Sequence, residues 1–249
     1  MLVKLEELNG STIHAVDGEI GQVTDVYFDD RHWTIRFMVV DIQPWVPLSE
    51  KTLISPISLL EYNVEEQQLN VSISKDKVKN SPQIDVLQTV SREFEESYFD
   101  YYAYGYYWVG PGAWGEYAYP MALVNQNTLP KDSSESDDAK TTNHLRSTNE
   151  ITHYGIDALD GKKGYIKDFI CDTYNWSLRY LVVDTRDWLP GGKKVLISPK
   201  QLDVLNWAEK TVTCNLSFEQ INACPEYNPD KLNDAEYLAE VQKKLMFNK

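Results

Sequence analysis

Ile156-Asp157-Ala158-Leu159-Asp160-Gly161 opens a stretch that runs through Gly164, Asp168, Asp172, Trp176, Arg179, Val182-Val183-Asp184, Trp188 and Pro190 to Lys194-Val195-Leu196-Ile197-Ser198-Pro199. The same anchors stand in the same order between Ile13 and Pro56. Paired glycines at 18 and 161 set an offset of 143, which holds without a gap from Ile13/Ile156 to Pro82/Pro225 with 24 of 70 aligned positions identical. Ordered identity of this extent marks an internal duplication, so the chain of 249 residues divides into two domains, each large enough to bury a core.

Each copy has the pattern of β structure. Asp17-Gly18 and Asp160-Gly161 are tight-turn signals after a short apolar run. A strand is expected from about Gly21 to Phe28, with Val23, Asp25 and Tyr27 alternating, and a long one from Trp33 to Ile42. Both faces of the long strand are largely apolar, which suits the middle of a small closed barrel. Pro44 and Pro47 interrupt the next loop, and Thr52–Ile54, Leu59–Asn63 and Gln68–Ile73 complete the set. Ser74 and Ser217 stand as helix N-caps, the second in the capping-box pattern Ser217-Phe218-Glu219-Gln220. A longer helix is expected after each barrel, at about Arg92–Tyr102 and Ala235–Phe247.

The organisation expected is therefore mainly β. Residues 1–90 form a first small barrel, and 91–148 form a helix, an aromatic arm and a polar linker. Residues 149–230 form a second barrel, and 231–249 a C-terminal helix. Tyr98–Tyr119 holds 11 of the 30 aromatic residues and is broken by Gly105, Pro111 and Gly112. Such a segment needs a surface: it lies over the barrels of its own chain, or Tyr101, Tyr102, Tyr104, Tyr106, Tyr107, Trp108 and Trp114 form a partner or dimer surface. Lys131–Asn149 has the composition of a solvated linker.

The net charge of −14 argues against nucleic acid as a partner, because phosphate neutralisation needs a basic surface. Between Arg92 and Asp138 there are two basic and nine acidic residues, so half of the excess lies in the connector. No stretch offers about 18 apolar residues, and the N-terminus shows no signal-peptide pattern, so a cytoplasmic protein without a membrane span is expected, peripheral association being open. Cys171, Cys214 and Cys224 form no C-x-x-C pair and align with Phe28, Val71 and Ser81, as buried inert thiols do.

The Asp-Gly-x-x-Gly turn, the acidic turn with Trp, and Arg-x-x-Val-Val-Asp, Trp-x-Pro and Ile-Ser-Pro together resemble the PRC-barrel family. The likeness is closest in the second copy, and the Tyr106-Tyr107-Trp108 connector is similar to that of stand-alone bacterial members with tandem copies. The resemblance implies two PRC-type barrels and a non-enzymatic module that binds another protein. Relatives include the cytoplasmic domain of the photosynthetic reaction-centre H subunit and a domain of a small-subunit ribosome maturation factor. An accessory role in membrane-associated electron transfer and docking of a ribosomal protein are thus the alternatives it suggests. It brings no catalytic motif.

Gly18, Gly161, Trp33, Trp176, Arg36, Arg179, Asp41 and Asp184 form the structural frame common to both copies. Trp33/Trp176 and Trp45/Trp188 are expected to pack in the core and at the rim. Asp17/Asp160, Asp25/Asp168, Asp29/Asp172 and Asp41/Asp184 are the repeated carboxylates. They could ligate a cation or act as acid and base, in a cleft between the barrels lined by Asp25, Asp41, Asp168 and Asp184. The structural reading is turn capping for Asp17 and Asp29, and cross-strand pairing of Asp25 and Asp41 with Arg36, repeated at Arg179. His14, His32, His144 and His153 have no imidazole counterpart in the other copy, so no metal site shared by the repeats is expected. No catalytic, cofactor or metal residue is assigned. A monomer with pseudo-two-fold repeats and a homodimer both remain open.

Overall fold

The computed structural model of the chain describes residues 1–42, 50–83, 90–126, 144–161, 163–186, 192–206 and 208–246. The expected Pro44–Pro47 loop, Trp45, Trp188, Pro190, the middle of the polar linker and Phe247 lie outside the described residues.

In chain order the elements are β1 (Leu2–Lys4), α1 (Leu5–Leu8), β2 (Thr12–Ala15), β3 (Gly18–Asp29), β4 (Thr34–Asp41), β5 (Lys51–Ile54), β6 (Leu59–Asn63), β7 (Gln68–Val71), α2 (Lys75–Lys79) and α3 (Arg92–Tyr102). There follow β8 (Leu145–Ser147), α4 (Thr148–Ile151), β9 (Gly155–Asp157), β10 (Lys163–Asp172), β11 (Ser177–Asp184), β12 (Lys194–Ile197), β13 (Leu202–Asn206), β14 (Thr211–Cys214), α5 (Phe218–Asn222) and α6 (Ala235–Met246). The chain is mainly β, as its alternating apolar patterns require. It forms two compact units. One, the N unit, is Glu7–Ser147 with Tyr174–Trp176; the other, the C unit, is Met1–Glu6, Thr148–Thr173 and Ser177–Lys249.

The N-unit sheet runs β6-β7-β2-β3-β4-β5. It is mixed, because β2 and β7 are parallel while the other pairs are antiparallel. The C-unit sheet repeats that order as β13-β14-β9-β10-β11-β12, with β9 and β14 parallel. Closed barrels were expected. Among the described residues no ladder joins the two ends of either order, so neither sheet is closed. The physical reason lies at the β5–β6 junction. There the chain makes the 3-10 turn Pro56–Ser58, and Pro56 has no amide to donate. Ser55 Oγ accepts from the Ile57 amide at 3.3 Å and Ser58 Oγ donates to the Ser55 carbonyl at 2.9 Å. The junction's outward bonds go to the Tyr98 hydroxyl, which accepts the Ser55 amide at 3.1 Å, and to Ser72 just past β7, whose amide donates to the Ser58 carbonyl at 2.8 Å.

Two local features depart from the simple strand pattern. The β3–β4 ladder shifts register between Val23 and Asp25 and again between Tyr27 and Phe28, and β10–β11 shifts at the equivalent Ile166/Asp168 and Ile170/Cys171. Each bulge rotates the strand. Val23, Val26 and Phe28 are therefore buried together, rather than Val23, Asp25 and Tyr27 on one face. Trp33 and Trp176 do not begin strands: they sit in the left-handed region at φ 50° and 57°, closing the turn before β4 and β11. A non-glycine residue holds that conformation only when its surroundings fix it. Trp33 stacks on Phe28 at 5.2 Å, and Trp176 is buried and accepts the Ile35 amide on its carbonyl at 2.8 Å. Both Asp-Gly turns form as read, with Gly18 and Gly161 at positive φ.

Helices fall where their caps put them. Ser91 Oγ accepts from the Phe94 amide at 3.2 Å, and α3 spans the expected Arg92–Tyr102 before Ala103 ends it in a left-handed conformation. Ser74 caps α2, and Ser217 with Gln220 completes the capping box of α5. In α6 Tyr237, Val241 and Leu245 form the buried stripe. All three cysteines are free and buried, and burial raises each thiol pKa. No helix among the described residues is long and apolar enough to cross a membrane.

The leading segment of each copy belongs to the unit of the other. β1 pairs antiparallel with β10, Leu2 opposite Asp172 and Lys4 opposite Ile170. β8 pairs with β3, Leu145 opposite Asp29 and Ser147 opposite Tyr27. The offset of 143 maps one pairing onto the other residue for residue. Asn233 clamps β1 further, its side chain accepting the Leu2 amide at 2.8 Å and donating to the Leu2 carbonyl at 3.0 Å. We expect a chain cleaved once after Lys131 to leave two fragments that co-elute under native conditions, because each fragment supplies a strand to the other's unit. Size-exclusion chromatography with mass analysis checks this, and elution as two independently folded fragments is the contrary result.

Candidate functional site

β4 is buried along both faces, and the arginine in its centre, Arg36, is 1% exposed. A guanidinium in that position needs compensation for its lost water. The bulged end of β3 supplies Asp29, whose Oδ2 accepts from Arg36 Nη2 at 2.8 Å. The aromatic arm supplies the rest. Arg36 Cζ lies 3.6 Å from the Tyr107 ring centroid and 4.7 Å from that of Trp114, and Arg36 Nη1 donates to the Ala113 carbonyl. Trp114 is held in turn by its Nε1, which donates to the Asn175 carbonyl at 2.7 Å.

Asp29 is saturated with donors. Besides Arg36 it accepts from the Arg31 amide at 2.9 Å and from His32 Nδ1 at 3.0 Å. Burial opposes its ionisation, but His32 and the Arg36 charge outweigh burial and hold the carboxyl well below the usual carboxylate range. Glu95, one turn into α3, is also buried. Its Oε2 accepts from Arg92 Nη1 at 2.8 Å and its Oε1 from the Tyr107 hydroxyl at 2.7 Å. Here burial wins over the Arg92 charge and the Tyr107 hydrogen bond, and the pKa is pushed up to about 7.

Asp29, Arg92, Glu95 and Tyr107 line one wall of a cavity of about 460 Å³ in the N unit. The wall continues through Arg31, His32, Trp108 and His144, and Val90, Pro111 and Leu145 give it apolar area. Arg92 Cζ lies over Trp108, 4.0 Å from the ring centroid, and Trp108 stacks on Tyr106 at 4.6 Å. His144 and Arg146 both bond Asp30, at 3.2 and 2.8 Å. Burial and the Arg31 charge lower the His144 pKa. A cavity of this size suits a small molecule.

The sequence-derived candidates divide between this site and others. Tyr102, Tyr104, Tyr107 and Trp114 are buried within the N unit, while Tyr101, Tyr106 and Trp108 stay partly exposed. The expected pairing of Arg36 with Asp25 and Asp41 does not occur: the bulge turns Asp25 to the Ser147 hydroxyl at 2.6 Å, and Asp29 takes the arginine. Nor is it repeated in the C unit, where Arg179 is exposed. Asp184 bonds Arg186 instead, and those bonds lower its pKa despite burial. Asp168 accepts the Glu6 and Phe169 amides at 3.1 and 2.8 Å, and burial pushes its pKa up to about 7. Asp41 stands in register opposite Gln22 and Lys51. The cavity residues Glu95, Arg92, His144 and Arg31 were not singled out from sequence. Glu95 carried a usable signal, since it is an acidic residue at a helix position that the Tyr98/Phe99 face turns inward. Among the described residues no group of three or more His, Cys, Asp or Glu is placed to hold a metal ion. No protein-family model and no curated protein matches the chain.

Two outcomes are expected. Arg36→Met strands Asp29 in the core and lowers stability by about 3–5 kcal/mol in urea denaturation, while Arg179→Met changes it by about 0.5 kcal/mol or less. Glu95 contributes stability that is full below 4.5 and is lost as pH rises through about 7, because its folded pKa is raised. Urea midpoints of the wild type should therefore decline across that window, and Glu95→Gln should flatten the decline.

Proposed function

We propose that the chain is a non-enzymatic tandem module of the PRC-barrel kind, which acts by binding, and that the N-unit cavity is its recognition site for a small molecule. The observation that carries this reading is the bonding of the acids at the cavity. Asp29 accepts from three donors and Glu95 from two. A general base or nucleophile needs a lone pair directed at the reacting atom, and here the carboxylate lone pairs are directed at Arg36, His32, Arg92 and Tyr107. Such a wall holds its shape and recognises a ligand without transforming it.

The resemblance to PRC-barrel proteins supports a protein partner as well. With Tyr107 and Trp114 committed to Arg36, that partner would use other surfaces. Val16 and Leu159, equivalent in the two copies, are exposed beside the Asp-Gly turns and are the repeated apolar positions open to it.

The test is a thermal-shift screen of small metabolites against the wild type and Pro111→Trp, a bulky change at an exposed position on the cavity rim. A stabilising compound that loses its effect in the variant and is recovered chemically unchanged is the expected result. A compound consumed during incubation would make the protein an enzyme, and an equal shift in both proteins would move the site elsewhere. The same two proteins, with a Val16→Ser, Leu159→Ser form, serve as baits for a partner retained by wild type and Pro111→Trp and lost from the doubly substituted form.

A further inference from the structure

We infer that the N-unit cavity selects a small organic acid, a carboxylate on an apolar body about the size of one ring. This rests on the reading of the cavity as a recognition site and adds the chemistry of the ligand.

Charge is the first argument. Arg31 and Arg92 line the cavity with Asp29 and Glu95, and the buried Arg36 guanidinium lies behind that wall against Tyr107 and Asp29, while Arg146 and Asp30 pair with each other. The balance is positive in a chain whose net charge is −14. Asp29 and Glu95 are enclosed by donors from the protein itself, so neither presents a carboxylate that would recruit a cation. Glu95, buried between Arg92 and Tyr107, also has its negative charge weakened near neutrality. A concave wall with low-dielectric sides concentrates the field of such a cluster, and the field here attracts an anion.

Shape is the second. The Arg92 guanidinium is held over the Trp108 ring and by Glu95, which places its charge at the wall before any ligand arrives. Beside it Val90, Pro111, Leu145 and the Trp108 face offer apolar area. Polar donors next to an apolar, ring-sized surface match a carboxylate joined to a flat apolar body. A free inorganic anion would leave that surface uncovered, and a cationic or neutral analogue of the same shape would meet the same surface without the charge.

The experiment uses the whole chain and three probes of one shape: benzoate, benzamide and benzylammonium. Binding is read by titration calorimetry, with wild type, Pro111→Trp and Arg31→Glu, the last a charge reversal at an exposed rim residue, each variant first shown to keep the wild-type fold by circular dichroism. We expect benzoate to bind, benzamide and benzylammonium to bind at least about tenfold more weakly, and Arg31→Glu to weaken benzoate by about tenfold. If benzamide or benzylammonium binds as well as benzoate, and Pro111→Trp abolishes it, the cavity is a ligand site but its selection for acids is overturned. If none of the three binds at millimolar concentration, both the selection and the recognition site fail.

Discussion

A charged group in the middle of a strand that is buried on both faces sets the terms for the N unit. Without water, the Arg36 guanidinium has to find a counter-charge, a carbonyl and polarisable faces within its own reach. The strand next to it supplies only the first, through Asp29. The carbonyl and both ring faces come from residues 107–114, more than seventy positions later. The path of the connector is therefore dictated by Arg36. The segment has to return to β4 and present Tyr107 and Trp114 there, and Gly110 and Gly115 permit the tight reversal between them: at Gly110 an added Cβ would fall 2.7 Å from the Gly115 carbonyl carbon. Each cation–ring contact contributes on the order of 0.5–2 kcal/mol, and the larger effect is to spare a buried ion from standing alone.

That constraint separates the two copies, although their sheets follow one order. In the N unit the repeated arginine is roofed by aromatic residues, and a cavity opens beside the roof. In the C unit Arg179 is exposed, and the acid equivalent to Asp29, Asp172, faces Leu2 of the incoming strand. The same frame thus supports two different local chemistries, and what distinguishes them is the segment laid over it. Duplication preserved the strands and bulges. The aromatic roof and the cavity beside it belong to one copy.

Much of this was legible in the residues. The offset of 143 exposed the duplication, the Asp-Gly pairs fixed the hairpins, and Ser74 and Ser217 stand where helices begin. Closure of the sheet was not legible, because Ile-Ser-Pro reads equally as a strand end in a barrel or as a 3-10 turn at an open end. The two bulges were hidden as well. A single inserted residue leaves Val23, Asp25 and Tyr27 looking alternate, so the strand pattern points Arg36 to Asp25 and Asp41, while the fold gives it Asp29. Trp33 and Trp176 carry strand-forming side chains, and only the closed turn around them shows their left-handed backbone. The exchanged segments escaped notice because Leu2–Leu8 and Leu145–Ile151 are short and share few identities, although the offset continues through them. The cavity assembles side chains from β3, α3, the arm and the segment before β8, and no local pattern announces such a convergence.

The exchange of leading strands also sets an order of events during synthesis. Leu2 leaves the ribosome 170 residues ahead of its partner Asp172. At about 5–20 residues per second that is on the order of 10–30 s in which a completed apolar segment waits without its strand. The N unit waits as well, since residues 145–147 and the turn at 174–176 are needed to finish it. Contacts this distant in the chain slow folding, because the loop must close before the pairing contributes anything. The nascent first half therefore passes through a period with an open β3 edge. Neighbouring chains on one polysome carry the same strand in the same state, so the feature that locks the finished molecule is also the one that exposes it to swapped assembly while it is being made.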